Sequence, residues 1–166
     1  MTNVNLEFYG LEEMEGCITV NDKFIDLKRN KEGGHSCTVQ CERNECNIII
    51  YKGHKYIGKN WIWWNLLYFF LSVFGIFDTK QNKQCLVYDA RFNIICNSDT
   101  KIIIRKQNFV DGGKVVNVET DCRMIETANV QFYDVKGQKR HSRMKLIKIL
   151  ATAILVILIT GFIILI

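Results

Sequence analysis

The final stretch of this chain constrains it more than any other. Residues 149–166 (ILATAILVILITGFIILI) are eighteen uncharged and almost wholly apolar positions. As a helix rising about 1.5 Å per residue they extend roughly 27 Å, close to the hydrocarbon thickness of a bilayer. A helix that is apolar on every face must be buried on every face, and a chain of 166 residues has little core in which to hide one. The stretch is expected to be a transmembrane anchor.

The charge distribution agrees. The formal net charge of +5 comes from 22 basic and 17 acidic residues, but six of the basic residues and none of the acidic ones lie beyond Asp134. Residues 1–135 therefore carry 16 basic and 17 acidic groups, a net of −1. The basicity belongs to a collar over 136–148, formed by Lys136, Lys139, Arg140, Arg143, Lys145 and Lys148. Such a collar marks the cytoplasmic side of a span. It also attracts anionic lipid headgroups, by about 1 kcal/mol per cation near the surface. With the collar set apart, the composition gives no reason to expect a nucleic-acid partner. The opening MTNVNLEFYG has neither a basic n-region nor an apolar h-region, so no signal peptide is expected. The expected arrangement is a tail anchor with the rest of the chain in the cytoplasm.

Seven cysteines, at 17, 37, 41, 46, 85, 96 and 122, follow no regular spacing. An odd count in a reducing compartment argues against a disulfide framework. Free cysteine packs as a small apolar residue, and that is the role expected of these.

Most of residues 1–135 reads as short strands separated by turn residues. Val4–Tyr9 alternates, and Cys17–Val20 and Phe24–Leu27 flank the tight turn expected at Asn21-Asp22-Lys23. Further strands are expected at His35–Cys41, Cys46–Tyr51, Gln84–Asp89, Phe92–Cys96, Lys101–Lys106, Lys114–Glu119, Met124–Glu126 and Val130–Tyr133. About nine or ten short strands at such intervals predict a mainly β fold, an antiparallel sandwich or a small barrel.

The segment 61–77 (WIWWNLLYFFLSVFGIF) interrupts that pattern with seventeen uncharged residues. Its aromatic residues Trp61, Trp63, Trp64, Phe69, Phe70, Phe74 and Phe77 are candidates for contact with a membrane interface, where tryptophan rings are favoured. If the segment crosses the bilayer, 1–60 and 78–148 lie on opposite faces, each with a β portion near the lower limit for an independent fold. If it is an interfacial helix or hairpin, the two stretches build one β-domain on the cytoplasmic face. The second reading needs fewer coincidences.

Chemistry-bearing motifs are sparse. His35, Cys37, Cys41 and Cys46 are the right residue types for zinc, but they lack the usual pair spacing. At period two His35, Cys37, Val39 and Cys41 share one strand face, as core residues do. His54 lies among lysines in YKGHKYIGK, a stretch expected to form a solvated rim near the membrane. No nucleophile elbow or phosphate loop occurs. The expectation is a non-enzymatic module without cofactor or metal: a β-domain anchored at the membrane surface that binds or scaffolds a protein partner. The alternatives are an effector or sensor whose Trp-rich segment inserts on a signal, and a subunit of a larger membrane complex.

Overall fold

The computed structural model describes residues 2–14, 16–41, 44–71 and 84–165. It is mainly β, with a long apolar helix at its end. Ten strands run in chain order: β1 (Thr2–Tyr9), β2 (Ile18–Val20), β3 (Lys23–Phe24), β4 (Lys28–Arg29), β5 (His35–Cys41), β6 (Glu45–Lys52), β7 (Leu86–Ile95), β8 (Thr100–Lys106), β9 (Val116–Glu119) and β10 (Arg123–Tyr133). Helix α1 (Trp61–Leu71) falls between β6 and β7, and helix α2 (Val135–Leu165) follows β10. The chain divides into two compact units, Met1–Lys52 with Val87–Phe132, and Gly53–Leu86 with Tyr133–Ile166.

The first unit holds two five-stranded sheets, ordered β4-β5-β1-β8-β9 and β10-β7-β6-β2-β3. Neither closes into a barrel among the described residues. Period-two alternation buries one face of each. Val4, Leu6, Phe8, Ile102 and Ile104 are inward in the first sheet, and Ile18, Val20, Ile48, Ile50, Phe92 and Ile94 in the second. Full burial of such a side chain contributes about 1.5–3 kcal/mol, so these positions dominate the stability of the unit. Cys41, Cys46 and Cys96 lie fully buried beside them.

The expected all-antiparallel pattern fails at one place. β1 pairs antiparallel with β5 along one edge and parallel with β8 along the other, from Val4 opposite Thr100 to Tyr9 opposite Arg105. A parallel pair needs a long connection. Here the whole second sheet up to β7 intervenes between the two partners. Two further differences concern length. The strands expected at 84–89 and 92–96 form one continuous strand, β7, and those at 124–126 and 130–133 form β10.

Side-chain amides join the edge strands of the two sheets. Asn129 on β10 accepts from the N–H groups of Val115 and Val116 at 2.9 and 3.1 Å, and donates to the Val116 carbonyl at 2.9 Å. Gln131, fully buried, donates to the carbonyls of Asn108 and Lys114 at 2.8 and 2.7 Å. Each amide satisfies backbone groups that a sheet edge would otherwise leave open.

The turn between β2 and β3 has positive φ at both central residues, 50° at Asn21 and 62° at Asp22. That is the type I′ signature, whose twist suits a hairpin and which Asn and Asp tolerate. Asp22→Val puts a β-branched side chain at positive φ. It is expected to destabilise this unit by about 1–2 kcal/mol, whereas Asp22→Gly is neutral or stabilising. Urea unfolding in detergent, followed by circular dichroism, reads the difference.

Candidate membrane-docking site

The second unit begins with a helix cap. Asp134 is the last acidic residue of the chain and directly precedes α2. Its Oδ1 accepts from the Lys136 N–H at 3.0 Å and its carbonyl accepts from the Gln138 N–H at 2.9 Å. A carboxylate at this position satisfies an orphan donor and meets the positive end of the helix dipole.

The other carboxylate oxygen receives His54 from the loop before α1, with Nε2 to Oδ2 at 3.1 Å. The Tyr56 N–H donates to His54 Nδ1 at 3.2 Å, which assigns the ring proton to Nε2. An Asp–His pair invites comparison with a catalytic dyad. Here both ring nitrogens are engaged and the His54 side chain is 1% exposed, so neither nitrogen faces a substrate. Burial holds the His54 pKa below the ordinary imidazole value, outweighing the upward pull of the Asp134 charge. The solvated rim expected at this position is therefore a buried contact.

Gly137 makes the contact possible. A Cβ there would overlap the imidazole of His54, standing 2.7 Å from Nε2 and 2.9 Å from Asp134 Oδ2. One turn further on, His141 Nδ1 lies 2.6 Å from the Tyr56 hydroxyl. Arg140 donates to the carbonyls of Tyr56 and Gly58 at 2.8 and 3.3 Å and lies over the Trp61 ring at 5.6 Å. The other side of the interruption is tied to the same turns. The Asp134 N–H donates to the Cys85 carbonyl at 2.9 Å, and the Gln138 amide to the Gln84 carbonyl at 3.4 Å. Tyr56, Cys85 and Met144 form the apolar centre of this unit, with Trp61, Leu66 and Ile147 packed around them.

The collar residues divide by environment. Lys136, Lys139, Arg143 and Lys145 are exposed. Arg140 is half-buried in the bonds just described, and Lys148 lies 5.7 Å over the Phe69 ring. Beyond Lys148 the helix is apolar all round and none of its spanning window is buried. Its two hydroxyls are satisfied within the helix, Thr152 donating to the Lys148 carbonyl and Thr160 to the Val156 carbonyl, both at 2.9 Å. A threonine bonded in this way is compatible with lipid.

Helix α1 is inside out for water. Its one polar residue, Asn65, is fully buried and donates to the carbonyls of Trp61 at 2.7 Å and Lys55 at 3.3 Å. Six large apolar residues are exposed, among them Trp63 at 73% and Phe70 at 70%. Of the expected interface residues, Trp63, Trp64 and Phe70 are exposed, Trp61 is half-buried and Phe69 is buried. Phe74 and Phe77 lie outside the described residues.

The first unit offers a different surface, a shallow cleft of about 1110 Å³. Asn3, Gln40, Asn47, Asn93 and Thr127 line it, with Phe24 at its edge, 74% exposed. Among the described residues the Oδ1 atom of Asn93 is buried without a hydrogen-bond partner. Among the described residues Lys23 and Glu45 are its only charged lining residues.

The cysteines expected in the core differ by position. Cys41 and Cys46 are buried and Cys37 is half-buried. Burial pushes the Cys37 thiol up to about 11 and the Cys96 thiol to about 12, the latter helped by a hydrogen bond with Cys122. Raised values disfavour the thiolate that metal binding or nucleophilic attack requires. Among the described residues no three His, Cys, Asp or Glu side chains are grouped to hold a metal ion. No protein-family model, curated protein or solved structure matches the chain.

Two outcomes are expected for the cap. Gly137→Ala forces His54 off Asp134 and should cost about 1–3 kcal/mol, read as a lower melting temperature in detergent. The second concerns acid. As pH falls through about 6.5 an unfolded His54 takes up a proton. The folded one, between Asp134 and the Arg140 charge and with its pKa lowered, takes it up only at lower pH. The unfolded state then binds more protons, so stability falls on acidification and is unaffected well above neutrality. His54→Gln should remove that part of the slope.

Proposed function

We propose that this chain is a non-enzymatic, membrane-anchored binding module. Helix α2 holds it in a bilayer, and the β-unit meets a protein partner on the cytoplasmic side. The observation that carries the reading is the unburied, charge-free stretch of α2 beyond Lys148, preceded by exposed cations. An apolar surface of that extent is stable only in lipid or under another protein. The collar chemistry favours anionic headgroups and the cytoplasmic face.

The partner side rests on the cleft. Amide and hydroxyl groups line it, and an exposed phenylalanine stands at its edge. Such a surface suits an extended polypeptide, hydrogen-bonded along its backbone and anchored by one aromatic contact. We read the two one-sided sheets as halves of a sandwich, a frame that hosts many unrelated binding functions. The outward aromatic face of α1 favours a second reading, an effector whose helix inserts on a signal; under it, the contact of α1 with lipid, not that of α2, would be conditional.

Replacing Ile157 and Leu158 by arginine costs about 2.5–3.5 kcal/mol for each cation placed near the helix centre. The double variant is expected to leave the carbonate-resistant membrane fraction in which the parent remains. For the partner, a photocrosslinking residue at Phe24 should give a discrete adduct in cells that the same residue at Thr120 does not. Equal labelling from both positions would remove the cleft from the proposal.

A further inference from the structure

We propose that α1 stands upright beside α2 and enters the membrane with it, and that both ends of the interruption between β6 and β7 remain on the collar side. This rests on α2 being the anchor and specifies how the second apolar element meets the same bilayer.

The contacts between the two helices advance in step. Trp61 meets Arg140, Leu66 shares the apolar centre with Met144 and Ile147, and Phe69 lies under Lys148. Eight residues along α1 match eight along α2, a rise of about 12 Å on each. The helices are therefore parallel and point the same way. If α2 crosses the bilayer, α1 cannot lie in the plane of its surface.

The register also fixes depth. Lys148 is the last charge of α2, so the hydrocarbon begins near it. Trp63 and Trp64 are then level with the collar cations, in the headgroup layer that tryptophan favours. Phe70, one step beyond the Phe69–Lys148 contact, reaches the hydrocarbon. The exposed aromatic face meets lipid along its length, and the Asn65 NH2 group turns inward to backbone carbonyls, away from that face.

The ends of the interruption decide its topology. The incoming chain is bonded through His54, Tyr56 and Gly58 to Asp134, His141 and Arg140. The outgoing chain is bonded through Gln84 and Cys85 to Gln138 and Asp134. Departure and return share the first two turns of α2. A segment that crossed the bilayer once would leave these partners on opposite sides.

All three tryptophans of the chain lie in α1, so intrinsic fluorescence reports on this helix alone. The full chain is reconstituted into vesicles of phosphatidylcholine and phosphatidylserine. Brominated phosphatidylcholines, labelled near the carbonyl or near the methyl end, serve as membrane quenchers, with iodide as the aqueous one. The shallow bromine is expected to remove at least about half of the emission, the deep bromine and iodide much less. In intact cells, Lys59→Cys and Gln84→Cys variants are labelled with an impermeant maleimide before and after permeabilisation, against the parent chain as baseline. The two positions should respond alike.

Flotation of the protein with iodide-quenched, lipid-insensitive tryptophans would overturn the inference while leaving the anchor standing; a protein partner would then be what covers α1. Opposite labelling at 59 and 84 would overturn it too, by making the interruption a true crossing. Failure to float would remove the anchor and this inference together.

Discussion

The arrangement of the second unit depends on one carboxylate. Asp134 terminates the helix dipole through one oxygen and holds a buried, uncharged histidine through the other. That histidine fixes the loop from which α1 departs, and the Asp134 backbone N–H donates to the Cys85 carbonyl where the chain returns. The cost of burying an imidazole is met by satisfying both its nitrogens. Remove the carboxylate and the helix start and the departing loop lose their common reference, while the return stays bonded to the Asp134 backbone N–H. The neighbouring glycine is what allows helix and ring to come this close.

The chain carries two opposite surface patterns, and the change between them is abrupt. In the β-unit, alternation places aliphatic residues inward and amides or charges outward, the pattern of a fold in water. In α1 the pattern inverts, with the amide inside and the aromatic rings outside. In α2 the polar groups are withdrawn, the threonine hydroxyls bonding back into the helix. Arg140 marks the change. It could have extended the basic surface, yet it is drawn onto the carbonyls of Tyr56 and Gly58, and the exposed charge is left to its neighbours.

Legibility in the sequence followed the range of the interaction. Strand alternation and the Asn21-Asp22 turn are set by neighbouring residues, so position and type could be read directly. The sequence divides β7 and β10 into shorter strands because the partners that carry each ladder through are far away in the chain. The parallel β1–β8 pair leaves no local trace. The same holds for His54 and Asp134, eighty positions apart; the available signals were a lone aspartate before a long helix and a glycine in its first turn. The interface residues could be listed by composition, whereas which of them face outward depends on contacts with α2.

The pairing of β1 has a kinetic consequence. Its central place in the first sheet leaves one edge without a partner until residues 100–106 have been made. During synthesis the strand, with Val4, Leu6 and Phe8 on its core face, must wait through the whole second sheet as far as β7. Non-local pairing of this kind slows folding and prolongs exposure of sticky strand edges. The apolar helix α2 follows all of this, so its surface and the late-closing sheet are exposed at nearly the same moment. A chain with this strand order keeps an apolar strand edge open for longer than one whose paired strands are neighbours in sequence.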